Sequence, residues 1–454
     1  MAESQSLTKE ELINFLRPNK PFEPKIGIEI ELGAVNPQSG KSVPYYGPNG
    51  SRAMLEAIWA DDEWTPILEG DALLGIKRHD GATITLEHGG ALEYSSIPMA
   101  SVGELVRVTQ QDLLRFARLV EEKCGSSLLA FGNTPFDTRA DFALVPKKRA
   151  RIMEEYCTGL GEEGSMAWRL MVQALSTQVT YDFASEEDMS RKMRALVPAA
   201  PVSTALFANS PIQDGIVDGV LSHRSQAWLQ YDPRRCGTLP MALKDSMTFD
   251  EYVEWLFDVP MMFSAEGGQY VPMHGRTFRE LWEGDRDDLP HSILSIWKTH
   301  ISAIFTDVRL RNTIELRSID GQSFADIPAV PAFWTGILYH PPSLDAVWNL
   351  FRHKTLEDVN KAQSEVCQTG LKASYGNDSV RELAAQMLEF ARQGLQARVD
   401  MGLENAEILE FLNPLEEIVS TGNTRAEQVL QRWNTEFDRS PVKFVEAYRV
   451  KEQP

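Results

Sequence analysis

The run Lys25-Ile26-Gly27-Ile28-Glu29-Ile30-Glu31-Leu32, apolar but for acids at alternate positions, constrains this chain more than any other stretch. Side chains of a β-strand alternate between faces, so Ile28, Ile30 and Leu32 share a side that must be buried, while Glu29 and Glu31 share the other. Two like charges that close repel each other, and partial burial adds a desolvation cost, so such a pair persists where a cation sits between the carboxylates. Magnesium is the natural candidate, since it takes carboxylate oxygens together with water and substrate phosphates. The plain alternative is a solvent-facing strand with two ordinary surface acids.

Three further polar segments bear on that choice. In Thr85-Leu86-Glu87-His88-Gly89-Gly90-Ala91-Leu92-Glu93 two glycines separate two acids, and a backbone that turns tightly there lets Glu87 and Glu93 point to a common place. His88 reads as a hydrogen-bonding loop residue, because hard magnesium prefers oxygen. In the β-like segment from Val308 to Leu316, with Arg317 following, Arg309, Arg311, Thr313, Glu315 and Arg317 share one strand parity. Guanidinium forms bidentate bonds with phosphate oxygens, so this face suits phosphate and metal together; a cross-strand salt-bridge ladder is the plainer reading. A fourth strand, Leu175 to Phe183, puts Ser176, Gln178, Thr180 and Asp182 on one side, where neutral hydrogen-bonding groups suit an amino acid or a ribose as well as a solvated face. Farther along, Arg224 in Leu221-Ser222-His223-Arg224-Ser225 is a candidate for a substrate carboxylate, or a surface arginine.

At 454 residues the chain is long enough for a sizeable core, and its 43% hydrophobic and 24% charged content is ordinary for a globular protein. A net charge of −20 argues against a general nucleic-acid or anionic-membrane surface, so a polyanionic substrate must meet a local basic patch. Cys124, Cys157, Cys236 and Cys367 are widely spaced without a CxxC pair, which suggests neither a zinc site nor a disulfide framework. Met1 to Lys20 lacks the pattern of a signal peptide, and no later segment approaches a membrane span. A cytoplasmic protein with neither membrane nor nucleic-acid partners is expected.

Along the chain, Thr8 and Glu11 mark a capped helix start, Arg52 to Ala60 and Ser101 to Lys123 are helical in period, and Leu73–Lys77 and Ala82–Glu87 read as a hairpin around His79-Asp80-Gly81. Ser127 to Phe131 returns to a strand. Leu344 to Gln363, Ser379 to Val399 and Thr424 to Phe437 are helical in period. The expected fold class is α+β, an antiparallel active-site sheet backed by helices, with a catalytic core over residues 1–340 and a helical C-terminal region over 341–454 packed on it. No phosphate loop, dinucleotide fingerprint or nucleophile elbow occurs, so a bound nucleotide must be held by metal and arginine on a sheet.

Taken in order, these segments give a family resemblance. Ile26-Gly27-Ile28-Glu29, Ile84 to Gly90, Val145-Pro146-Lys147-Lys148-Arg149, Gln178 to Phe183, Ser185 to Met189, Thr204 to Pro211, Leu221 to Ser225, Asp258 to Met261 and Val308 through Arg317 to Gly321 follow one another as in the plant and proteobacterial type of glutamate–cysteine ligase, which the chain resembles from about Lys25 to Tyr339. The resemblance implies a glutamine-synthetase-like funnel holding ATP and Mg2+, and phosphorylation of the glutamate γ-carboxylate followed by displacement of phosphate by an amine. It implies Glu29, Glu31, Glu87, Glu93 and Glu315 as metal ligands or their close supports, and Arg309 and Arg317 toward nucleotide phosphate. It also implies Arg224 on the glutamate α-carboxylate, with Thr177 or Gln178 orienting that substrate.

The chain departs from the family's pattern in three places. Glu87-His88-Gly89-Gly90 stands where Glu-Pro-Gly-Gly is usual, Thr180 where an asparagine is usual, and Met262 where the family has a tyrosine associated with the cysteine pocket. Loss of that hydroxyl leaves a softer, more apolar surface at Met262. The expected activity is ligation of L-glutamate to L-cysteine; the alternative is a paralogue that couples glutamate or a related acid to a different amine, and a non-catalytic sensor of nucleotide or amino acid ranks below both.

Overall fold

Residues 7–18, 22–61, 64–284 and 291–452 are described by the structure, a computed structural model. Their central feature is a nine-stranded sheet built of β1 (Ile26–Val35), β2 (Trp64–Glu69), β3 (Ala72–Arg78), β4 (Thr83–Leu86), β5 (Leu92–Ser95), β6 (Ser127–Leu129), β7 (Thr177–Tyr181), β8 (Val308–Leu310) and β9 (Ile314–Leu316). The order is β8-β9-β7-β1-β5-β4-β3-β2, with β6 pairing the far end of β1, and these pairings are antiparallel. On β1, Ile26, Ile28, Ile30 and Leu32 are buried, whereas Gly27, Glu29 and Glu31 are half-buried on the opposite face. Val179 and Tyr181 on β7, and Tyr94 and Leu92 on β5, continue the apolar side.

Against that side pack the helices α1 (Val102–Cys124), α2 (Glu186–Leu206) and α3 (Ala329–Leu338). Ser101 caps α1, its side chain accepting from Glu104 N, and Gly125 ends it in the left-handed conformation. The C-terminal helix α4 (Val380–Asp400) lies on α3, and one hydrophobic cluster runs from Leu12 to Val450 through both. The two helices touch at glycines: a Cβ on Gly394 would fall 1.7 Å from the Gly336 carbonyl oxygen. Among the described residues, no helix is long and apolar enough to cross a membrane.

Three local differences from the sequence reading have physical causes. Val308–Leu316 is a hairpin rather than one strand, since Asn312 sits in a turn where Arg311 N donates to Thr313 O. The shared polar face survives, because Arg309 and Glu315 are direct cross-strand partners. The helical period over Leu344–Gln363 is interrupted: one helix spans Pro341–Phe351, and a second, Leu356–Thr369, starts at the capping box of Thr355 and Asp358. Strand β2, absent from the sequence reading, carries Pro66 and an irregularity between Ile67 and Leu68, as a sheet edge permits.

Candidate active site

The register of the sheet assembles the polar face. Glu31 stands opposite Glu93, Glu29 stands between Ser95 on one side and Gln178 on the other, and Glu315 stands between Thr180 and Arg309. Glu87 joins them from the turn after β4. That turn needs its glycines: Gly90 has φ +90°, and a Cβ on Gly89 would lie 2.3 Å from the carbonyl oxygen of Val172.

A cavity of about 300 Å³ opens on this face, and Glu29, Glu31, Glu87, Glu93, Arg309 and Arg317 line it together with Gln178, Arg149 and Arg311. Its outer wall is apolar, built from Met153, Leu170, Met171, Trp228 and Phe263. A second cavity of about 530 Å³ lies beyond Glu29, which lines both, and carries Lys25, Ser95, Thr180, Asp182 and Thr313.

The charges divide into two groups. Arg309 binds Glu315 in a fork, Nε to Oε2 at 2.9 Å and Nη2 to Oε1 at 2.8 Å, and Arg317 Nη1 donates to the same Oε1 at 2.6 Å and to Gln178 Oε1 at 2.8 Å. Burial pushes the Glu315 carboxyl up, but Arg309, Arg317 and Arg311 outweigh it and hold it down at about 2. Both Glu315 oxygens are thus engaged, which makes this residue the anchor of two arginines rather than an open metal donor. Glu87 is likewise held down, the burial penalty being overcome by Lys147, 4.0 Å away, and by His88, whose Nδ1 is 3.6 Å from it.

The other acids lack such partners. Among the described residues Glu29, Glu31 and Glu93 form no ion pair; Glu31 accepts a long 3.5 Å hydrogen bond from Gln178 Nε2, and Glu93 accepts one of 2.8 Å from Thr85 Oγ1. Burial, followed by repulsion from Glu315 and Glu93, pushes Glu29 up to about 8. Burial, with Glu87 and Glu93 behind it, pushes Glu31 up to about 7, and burial and Glu87 push Glu93 in the same direction. Among the described residues no three metal-ligating side chains converge into a ready-made cage. An all-carboxylate face short of counter-charge suits a hard divalent cation whose remaining ligands are water and phosphate oxygens.

Three of the expected site residues, Thr177, Met262 and Arg224, do not line this cavity. Thr177 has the opposite strand parity; it is fully buried and its Oγ1 accepts from Gln322 N, so Gln178 alone of that pair faces the cavity. Met262 is 1% exposed and packs in a cluster with Met153, Tyr231, Cys236 and Phe263, of which Met153, Tyr231 and Phe263 reach the cavity while Met262 does not. Arg224 is 3% exposed and lies beneath Arg317, its Nη2 donating to the Arg317 carbonyl oxygen at 2.7 Å. Arg149 joins the site as well, and its signal in the sequence is the basic run Lys147-Lys148-Arg149 in an acidic chain.

Glutamate-cysteine ligase family 2 (GCS2) matches residues 25–446. The chain belongs to this family. It is 34% identical over 446 residues to the chloroplastic glutamate–cysteine ligase of Medicago truncatula, covering 96% of this chain and 84% of that one. The chloroplastic enzyme of Arabidopsis thaliana gives 34% over 441 residues, with 96% and 82% covered. Among solved structures, a glutamate–cysteine ligase from Francisella tularensis in complex with AMP superposes with a TM-score of 0.55 at 11% identity, covering 95% of this chain and 91% of that one. A bifunctional glutathione synthetase from Pasteurella multocida gives 0.54 at 14% identity, covering 94% and 52%. The antiparallel α+β fold expected from sequence is shared with both, and membership of the family makes the chain an ATP-dependent carboxylate–amine ligase.

Proposed function

We propose that the protein joins the γ-carboxyl of L-glutamate to the amine of L-cysteine, with ATP as the activating substrate and Mg2+ as the metal. The observation that carries this reading is the meeting of two cavities at Glu29, one bounded by uncompensated carboxylates and the other continuing along the same sheet face. A nucleotide in the larger space brings its phosphates to Glu29, and glutamate in the smaller space brings its γ-carboxylate to the same point.

Glu29, Glu31 and Glu93 are the carboxylates that would hold magnesium together with water and phosphate oxygens, and the metal would offset phosphate charge and align the transferred group. Arg309 and Arg317, locked by Glu315, present fixed guanidinium donors to the phosphoryl oxygens, and Arg149 and Arg311 add positive charge at the rim. The chemistry then needs little beyond positioning. A γ-carboxylate oxygen attacks the γ-phosphorus and ADP leaves. The amine nitrogen then attacks the acyl carbon, phosphate departs with the carboxylate oxygen, and the surplus proton of the nitrogen goes to the departing phosphate. The apolar wall of Met153, Leu170, Met171, Trp228 and Phe263 excludes water from the acyl phosphate.

That same wall favours a second reading, in which the acceptor is an amine with a larger apolar group. Four buried, free cysteines support a reducing compartment for either version. Incubation of the purified protein with ATP, Mg2+, glutamate and a panel of amines decides between them. Cysteine as the acceptor with the highest kcat/KM supports the first reading; phosphate release with another amine and none with cysteine supports the second.

A further inference from the structure

The apolar wall of the active-site cavity has a second side. Helices Lys148–Gly159 and Ala167–Val172 contribute to it, and behind them lies a further cavity of about 250 Å³. Met153 and Leu170 face the first cavity, Cys157 and Ala167 the second, and Met171 lines both. Cys157 Sγ donates to Tyr231 Oη at 3.5 Å, so a hydrogen bond ties a side chain lining the second cavity to one lining the first. Val172, also in the lining, is the residue whose carbonyl stands against Gly89 in the turn that carries Glu87.

The ligase chemistry uses none of this space. Phe142, Leu144, Met171 and Val172 give it an apolar surface, and Trp168 adds a flat one. The Trp168 ring is held in place: the Arg169 guanidinium stands 4.5 Å from its centroid and is itself fixed by hydrogen bonds of 3.0 and 2.9 Å to the Asp214 carboxylate. Two charged side chains, Arg139 and Glu154, line the same cavity, and both residues are exposed. Among the described residues neither charged group forms an ion pair or hydrogen bond; the Arg139 guanidinium stands 5.8 Å from the Trp168 ring centroid. A cavity at the lower end of the usual ligand-site volumes, with one unpaired cation and one unpaired anion, suits a small zwitterion with an apolar tail. A simple anion would meet Glu154, and a simple amine would meet Arg139.

We propose that this cavity is a second ligand site, which takes an α-amino acid with an apolar side chain: its carboxylate on Arg139, its ammonium on Glu154, and its side chain among Phe142, Leu144, Met171 and Val172. The occupant fixes Met171, whose other face bounds the active-site cavity, and so alters the fit of the amine acceptor there. The larger cavity beyond Glu29 shares no residue with the new site and is left unchanged. The effect on the acceptor rests on the proposed function; the binding does not.

The test is calorimetric titration of L-leucine, L-methionine and L-phenylalanine into wild type, Arg139→Ala and Glu154→Gln. Both positions are exposed and outside the active-site cavity, so the variants should keep the wild-type melting temperature and turnover. Wild type should bind at least one of the three, and each substitution should weaken that binding by about fivefold or more, the loss of one charged contact at an exposed position. Any binding in the active-site cavity persists in both variants, so the difference isolates the second site. No binding of the three, or an affinity that either substitution leaves nearer to wild type than that, would overturn the site. In turnover assays of wild type the same amino acid should alter KM for the amine but not for ATP, and the effect should vanish in Arg139→Ala. With binding established, an unaltered KM for the amine would overturn the link through Met171, whereas absence of any turnover would count against the proposed function and leave the site standing.

Discussion

Glu31 on β1 and Glu93 on β5 face each other directly across the sheet, and among the described residues no basic side chain forms an ion pair with either. Like charges in that relation destabilise a sheet, and the folded state responds by holding protons. Burial and Glu87 push both carboxyls up, Glu31 to about 7.

The sign of the resulting pH dependence follows. A carboxyl raised in the folded state binds more protons there than in the unfolded chain, so between its ordinary value near 4.5 and about 7 the fold loses stability as pH rises. Ligand-free wild type should melt at lower temperature at pH 8 than at pH 5.5, after the contribution of other groups is removed by comparison with Glu31→Gln. The variant should be more stable than wild type at pH 8, by on the order of 1 kcal/mol or more, with a flatter profile. Parallel profiles for the two proteins would contradict this.

Removing the divalent ion should separate nucleotide binding from its charge compensation. ATP with Mg2+ should raise the melting temperature well above ATP with a chelator, and Glu29→Gln should shrink that difference while leaving the ligand-free fold intact. Equal shifts with and without Mg2+ would remove Glu29, Glu31 and Glu93 from the metal site.

The Glu315 anchor can be tested by breaking one half of a buried pair. Glu315→Gln leaves Arg309 and Arg317 without their counter-charge, and the expected cost is about 3–5 kcal/mol in urea unfolding, with loss of turnover. Arg309→Lys retains charge but not the fork, so it should keep more stability than the Glu315 variant while losing turnover.

Gly89 offers a test of the turn that delivers Glu87. In Gly89→Ala the new methyl meets the Val172 carbonyl, and the turn must shift at a cost of about 1–3 kcal/mol. Turnover should fall because Glu87 moves with it; unchanged activity and stability would show that the turn and Val172 are not in the close contact described.

The polar face was readable from sequence in pieces, because strand periodicity is local: parity pairs Glu29 with Glu31 and Arg309 with Arg317, and the Gly89-Gly90 turn relates Glu87 to Glu93, while the register of the sheet joins the pieces. Gln178 and Thr177 are adjacent, and the resemblance left both open until the register assigned Gln178 to the acids and Thr177 to Gln322. The apolar cavity wall was unreadable for a different reason: Met153, Met171, Trp228 and Phe263 come from four separated segments, and no local pattern joins them. Met262 shows the same limit, since its neighbour Phe263 takes the surface and tertiary burial decides between them.

The most direct measurement follows the oxygen of the activated carboxylate. Glutamate labelled with 18O in its γ-carboxyl, turned over with ATP, Mg2+ and the best amine, should yield one 18O in each inorganic phosphate released and a γ-glutamyl amide of matching amount. Phosphate free of label alongside formation of the amide would contradict activation of the γ-carboxylate by phosphoryl transfer on this sheet face.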